Sequence, residues 1–478
     1  MARSRRRAAA PSAVAPCIAA LLAWAAPASA QPSVMLVVLD TVRADAVSAF
    51  GQIDGTTPTV DRLARDGLRY AHAYSHANWT VPSHAALFTG LLPSTTGMGY
   101  VGAPLASRFQ TLAEVLAAGG YETVGFCENP WFGDETQLAR GFQRFTELDR
   151  SRENDMPAAV AGWARERDRR RPFFLFLNVM DAHDRYPVRA DNPWLPPWIS
   201  LEEANRAADH VVDLRCATDG RLAELDLLRR LYWHGVQLAD AKLGRVLDAL
   251  AAAGLRDGLR IIVVADHGEH FGEQRQVLHD IGVGEALIHV PLVVAGLPDV
   301  TPGVIEAPVG LADVYPTVLG WAGLSGPSYP LAGRALPTSP EQPAGVRRLV
   351  SQFRDELPGV GFVRSFEALT PGAIAVDTIM AQRRAFCTPE DRADGDQIAV
   401  IEWPLKLIWY QNFPPQLFDL AQDPGQTVDL SAQRPDVVRA LLTGVPRDAQ
   451  ELRSVETVPA EVERSRADRL RALGYLVR

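Results

Sequence analysis

At 478 residues, with 47% hydrophobic and 22% charged side chains, the chain has the composition of an ordinary folded protein with a large core, which excludes a disordered or fibrous one. A formal charge of −9 argues against nucleic acid as a main partner, and the length favours a main domain with a smaller one appended. Residues 1–30 read as a secretory signal: Arg3, Arg5, Arg6 and Arg7 precede an apolar stretch from Ala13 to Pro27, and Ala28-Ser29-Ala30 matches a small-residue cleavage site. That stretch is short and interrupted by Pro16, and no later segment reaches the ~20 apolar residues of a membrane span. Export to a periplasm or the outside is expected, with an uncleaved anchor as the alternative. The apolar strand Met35–Leu39 then ends in Asp40. Helices are expected over Thr59–Arg69, over Pro82–Leu91 just after Thr80, and over Thr111–Ala118. A strand Phe174–Met180 runs into Asp181-Ala182-His183. Arg185–Asn205, with Pro187, Pro193, Pro196 and Pro197, reads as a long surface loop bordering the substrate opening. Leu222–Ala252 is a long helical region open to a break. Ile261–Ala265 is a strand running into Asp266-His267-Gly268-Glu269, and Val290-Pro291-Leu292-Val293-Val294 follows. Pro337–Pro343 reads as a linker; beyond it Ile398–Ile401, Leu405–Tyr410 and Gln416–Leu420 predict a small sheet, with helices from Pro435 onwards. Strands alternating with amphipathic helices predict an α/β fold, a parallel sheet covered on both faces.

The run Asn78-Trp79-Thr80-Val81-Pro82-Ser83-His84 resembles the signature of the sulfatases, a branch of the alkaline phosphatase superfamily. In that signature a cysteine, any residue, Pro, Ser and Arg open a helix, and the cysteine becomes formylglycine. Thr80 stands at the cysteine position and His84 at the arginine position. Other parts of the resemblance lie in order: Asp40 with Thr41-Val42-Arg43-Ala44-Asp45, Asp181-Ala182-His183, Asp266-His267-Gly268-Glu269, His279 where many sulfatases place a lysine, and Leu417-Phe418-Asp419-Leu420 with Asp423-Pro424. The resemblance implies an alkaline phosphatase-like fold, with a mostly parallel central sheet flanked by helices and a smaller C-terminal α+β subdomain. It divides the chain into the signal at 1–30, a catalytic domain at 31–340 and a C-terminal subdomain at 341–478. It also implies a metal-dependent hydrolase of sulfuric or phosphoric esters acting on a small-molecule, glycan or lipid substrate. Two departures matter. Thr41 stands where sulfatases often have a second aspartate, and no formylglycine can form at Thr80. A threonine sulfate lacks the route by which formylglycine hydrate expels sulfate, so the pattern looks more like superfamily members that use threonine in phosphoryl transfer. Phosphodiester or phosphonate chemistry is therefore expected, with a degenerate binder of anionic glycans or lipids, or a phosphoryl-group transferase, as alternatives.

The residue types fit that chemistry. In open α/β sheets ligands collect beyond the carboxyl ends of strands, where Asp40, Asp181 and Asp266-His267 fall. Asp40, Asp266 and His267 supply oxygen and imidazole ligands for one divalent ion (Ca, Mn or Zn) that would also bind the Thr80 oxygen and lower its pKa. Thr80 would stand at a helix N-terminus, where backbone N–H groups and the dipole favour an anion. Arg43, His84, His183 and His279 are candidates to hold the anion or protonate the leaving group. The competing readings are plain: Asp40 as a turn residue, Thr80 as an N-cap hydroxyl, His183 and His279 as loop histidines with local hydrogen bonds. Asn178 and Asp181 are weaker candidates, and His270 and Glu273 read as solvated neighbours in an acidic loop. The Asn78-Trp79-Thr80 sequon is read as coincidence, because a glycan there would block the site. Cys127, Cys216 and Cys387 read as buried thiols, with one bridge open to them.

Overall fold

The chain's longest apolar runs form the middle of a large sheet. Across it the strands are ordered Gly303–Ile305, Leu68–Tyr70, Leu292–Ala295, Arg260–Val264, Val34–Leu39, Phe173–Val179, Glu122–Cys127 and Arg144–Glu147. These positions come from a computed structural model, which describes residues 31–446 apart from 52, 99–103, 134–135, 151, 153–154, 217–218, 280, 343–344 and 355–386. The signal expected over 1–30 lies outside the described residues. Val34–Leu39 is central and pairs in parallel with Phe173–Val179 on one side and Arg260–Val264 on the other. All six of its residues are buried, as expected for a strand covered on both faces. Leu292–Ala295 runs antiparallel to Arg260–Val264, so the sheet is mostly but not wholly parallel.

Several boundaries differ from the expected ones for identifiable reasons. The helix expected over Thr59–Arg69 is Pro58–Arg65, and Leu68–Tyr70 is a strand. Gly67 separates them, and a Cβ there would collide with the Val294 carbonyl, so the chain turns into the sheet where only glycine fits. Leu222–Ala252 is one unbroken helix of 31 residues. Its Gly235 is a packing glycine, since a Cβ would meet the Asp181 carbonyl. Its Asp240 caps a second helix, accepting from Thr59 N at 2.9 Å and Val60 N at 2.8 Å. The loop expected over Arg185–Asn205 ends in the helix Leu201–Asp209, started by a Ser200/Glu203 capping box.

The C-terminal sheet is antiparallel: Leu349–Phe353, Gln397–Glu402, Leu405–Tyr410 and Gln416–Asp419. Leu349–Phe353 was not expected from the sequence. Alternation sorts the faces: Ala399, Ile401, Ile408 and Phe418 pack with Tyr74, Leu287 and Ile288 of the main part, while Ile398, Val400, Leu407 and Leu417 pack with Leu441 of the helix Pro435–Leu442. Cys216 and Cys387, read above as thiols with one bridge left open, take the bridge: they form a disulfide across 171 positions, with Cα atoms 5.0 Å apart. Cys127 is a buried free thiol. No helix among the described residues is long and apolar enough to cross a membrane.

Candidate active site

Because the central strands are parallel and in register, the residues that follow them emerge at one edge. Asp40 follows Val34–Leu39 and its N–H donates to Val179 O at 2.9 Å, while Asp266 and His267 follow Arg260–Val264. Asp40, Asp266 and His267 are fully buried, and one ligand atom from each lies within 4.8 Å of the others. Each has one polar atom engaged and one turned to a common point. Asp40 Oδ2 accepts from Asn129 Nδ2 at 2.8 Å and Asn178 Nδ2 at 3.0 Å, while Oδ1 has no hydrogen-bond partner. Asp266 Oδ1 accepts from the Thr41 N–H at 3.2 Å and the His267 N–H at 2.9 Å, while Oδ2 has none. His267 Nδ1 donates to Gly268 O at 3.0 Å, which fixes the tautomer and leaves Nε2 a lone-pair donor without a partner. Three orphaned buried donor atoms converging on one point, two hard oxygens and one imidazole nitrogen, fit a divalent cation. Burial raises the Asp266 carboxyl to about 6 and lowers His267 to about 3.

The Thr80–Thr89 helix approaches the same point, two residues earlier than expected. Trp79 is its N-cap residue, in extended conformation, and no side-chain hydrogen bond caps it, so the Thr80 hydroxyl is not a cap. Thr80 Oγ1 instead accepts from Asn129 Nδ2 at 3.4 Å, the same amide that holds Asp40. His84 lies one turn along, walled by Phe88, Phe132 and Phe176, and burial lowers it to about 4. Its nitrogens face polar partners: Nδ1 lies 2.9 Å from Thr80 O and 3.6 Å from Asp266 Oδ2, and Nε2 lies 3.5 Å from Asn178 Nδ2.

His183 and His279 meet edge to face, with ring centroids 5.0 Å apart, and the His279 ring centroid is 4.6 Å from that of His267. Each has its own carboxylate, neither of which was singled out from the sequence. His183 forms a close ion pair with Asp184, which overrides the opposing effect of burial and raises the imidazole to about 9. His279 Nδ1 lies 3.0 Å from Glu269 Oε1, and the other Glu269 oxygen accepts from Tyr186 at 3.2 Å. Burial lowers His279 to about 4 and raises Glu269 to about 8. The Asn78 amide is buried and donates to His279 O at 2.8 Å, so the sequon asparagine is structural.

Two expectations are corrected. Arg43 is not free to hold an anion: its guanidinium pairs with Asp45 at 2.6 Å and Glu273 at 2.7 Å and touches the group only by donating to Glu269 O at 3.0 Å. His270 is not solvated, being 1% exposed, and Glu273, its side chain 32% exposed, is tied to Arg43 rather than free. Asp181 turns from the cation point to Lys242, whose Nζ lies 2.6 Å from both Asp181 and Glu128 in a buried ion cluster. Glu128 is pushed up to about 7 by burial, against the pull of Lys242. Replacing Lys242 with Met leaves two carboxylates facing each other out of water. It should destabilise the fold by about 3–5 kcal/mol in urea denaturation. The loss should be smaller at acidic pH, because an uncompensated Glu128 has a raised folded pKa and protonation removes its need for a cation.

A mostly parallel sheet carrying paired carboxylates and imidazoles at the ends of its strands suits a hydrolase of ester bonds. The chain belongs to the sulfatase family, whose model, described as "Sulfatase", matches residues 32–324. Among relatives, arylsulfatase K of Bos taurus is 24% identical over 485 residues, covering 90% of this chain and 82% of that protein. Human arylsulfatase A is 26% identical over 471 residues, covering 89% and 88%. Among solved structures, the phosphonate monoester hydrolase of Agrobacterium radiobacter shares the fold, with TM-score 0.65 and 22% identity over 87% of this chain and 94% of that one.

Proposed function

We propose that this chain is a metal-dependent hydrolase of phosphodiesters or phosphonates, with Thr80 as its nucleophile. The observation that supports this most directly is the shared Asn129 amide, which joins the Thr80 hydroxyl to the cation ligand Asp40. Asp40, Asp266, His267 and Thr80 would hold one divalent ion. Calcium, manganese and zinc all suit a mixed oxygen and nitrogen set. Bound there, the ion lowers the pKa of a hydroxyl and neutralises charge on the ester.

Thr80 Oγ gives its proton to solvent water and attacks phosphorus from the helix N-terminus, whose N–H groups favour the anionic group. The bond to the leaving alcohol breaks as that oxygen takes a proton from His183, which Asp184 keeps charged, with the neutral His279, held by Glu269, beside it. A water then attacks the phosphothreonine at phosphorus, giving the acid and restoring Thr80. A binder without turnover is disfavoured by the three converging orphan atoms. We take 31–340 as the catalytic portion and 341–478 as appended to it. Export is favoured by the arginine-led apolar start and by the Cys216–Cys387 bridge, which suits an oxidising compartment.

The test is a comparison on cation-loaded protein of four matched aryl esters: sulfate, phosphate monoester, phosphodiester and phosphonate. The phosphodiester or phosphonate should have the highest kcat/KM. An aryl sulfate ahead of every phosphorus ester would overturn the proposal.

A further inference from the structure

Asn129 lies on the loop after Glu122–Cys127 and is fully buried. Its orientation follows from its bonds: Oδ1 accepts from the Trp131 N–H at 2.9 Å, so Nδ2 must face the other way. There Nδ2 reaches Asp40 Oδ2 at 2.8 Å and Thr80 Oγ1 at 3.4 Å. The loop itself is pinned. Glu128 is tied to Lys242 and accepts from the Met180 N–H at 2.9 Å, the Glu128 N–H donates to Asn178 O at 3.2 Å, and the Cys127 thiol donates to Asn129 O at 3.4 Å. Asn178 adds a second amide to Asp40 Oδ2 at 3.0 Å but makes no hydrogen bond to Thr80 among those seen.

We propose that Asn129 is a positioning residue that sets two reacting parts against each other with one amide. By occupying Asp40 Oδ2 it leaves Oδ1 as the oxygen offered to the cation, and by donating to Thr80 Oγ1 it holds the hydroxyl oxygen beside that cation. The two hydrogens of a single NH₂ group have a fixed spread, so the ligand and the nucleophile are held in a fixed relation. The Asp40 half concerns cation affinity alone. The Thr80 half rests on the proposed function.

Asn129→Ser is the informative variant, because serine retains an acceptor for the Trp131 N–H, as at other helix starts, but cannot reach Asp40 or Thr80. Chelator-treated protein titrated calorimetrically with Mn²⁺ should show a Kd weakened about tenfold, in the range typical of residues that orient metal ligands. At saturating Mn²⁺, kcat on the best of the four aryl esters should remain about tenfold low with KM little changed. Asn178→Ala should weaken Mn²⁺ comparably and depress saturated kcat less, since it loses the contacts to Asp40 and, at 3.5 Å, to His84 Nε2 but none to Thr80. Asn129→Ala should reproduce the pattern of Asn129→Ser, with the unfolding midpoint of both variants without cation staying within a few degrees of wild type. Unchanged Mn²⁺ affinity in Asn129→Ser would overturn the Asp40 half. Full recovery of kcat at saturating Mn²⁺ would overturn the Thr80 half. A large drop in unfolding midpoint in both Asn129 variants would overturn the proposal by showing a merely structural role. If instead Thr80→Ala proves active, the proposed nucleophile fails while the Mn²⁺ affinities still decide the role at Asp40.

Discussion

Thr80→Ala should lose about four orders of magnitude or more in kcat on the preferred aryl ester, measured at saturating cation, while keeping its fold and binding the cation more weakly through the three remaining ligands, as expected when a nucleophile that is also a ligand is removed. The structure makes this a clean substitution. The hydroxyl caps no helix, its hydrogen bond from Asn129 is long at 3.4 Å, and Trp79 already sets the extended entry to the helix. The stability change should therefore stay within about 1 kcal/mol. Asp40, Asp266 and His267 remain to bind the cation. Substrate trapped on wild-type protein and digested for mass spectrometry should place the adduct on Thr80. An adduct on another residue, or a Thr80→Ala variant with near-normal turnover, would refute the assignment.

Asp266→Ala should abolish both tight cation binding and turnover. Residues that merely orient a ligand cost about 10–100-fold when lost, so removing a ligand should exceed that in Kd and carry kcat/KM down with it. Alanine also strips the acceptor from the Thr41 and His267 N–H groups, at about 1–3 kcal/mol. Asp266→Asn separates the two effects. Its amide oxygen can keep both backbone bonds while the charge is gone, so it should fold like wild type and still fail to bind the cation in calorimetry. Full turnover by cation-free Asp266→Ala would sink the metal-dependent reading.

The parts of the site written in neighbouring residues were legible in the sequence; those made by pairing across the fold were not. Asp40 and Asp266-His267 directly follow apolar runs, and parallel register alone carries such residues to one edge. Asn129 could have drawn notice as a polar residue just past Glu122–Cys127, but its meeting with Asp40 depends on the order of strands in the sheet. Asp184 stands beside His183 and Glu269 beside His267, yet which imidazole each carboxylate serves is decided by loop geometry. Arg43 misled for a related reason: one partner, Asp45, stands two positions away, but the other, Glu273, is 230 positions away, and spacing alone does not show that either takes its charge. The bridge between Cys216 and Cys387 was equally hidden by distance along the chain.

The reversed strand Leu292–Ala295 has an effect on how the site is furnished. Had it run parallel to Arg260–Val264, residues 265–291 would have had to travel back along the sheet before re-entering it, usually as a covering helix. A strand that enters from the opposite end removes that journey. The whole connection can stay at the edge where Val264 leaves the sheet, which is why His267, Glu269 and His279 all occur within it. Direction of travel, set by one strand, thus supplies three side chains to one place from a single excursion. Lengthening or shortening that excursion on its outer side, around the short hairpin His270–Phe271 with Val277–Leu278, would alter the reach of His279 without disturbing the sheet that anchors both of its ends.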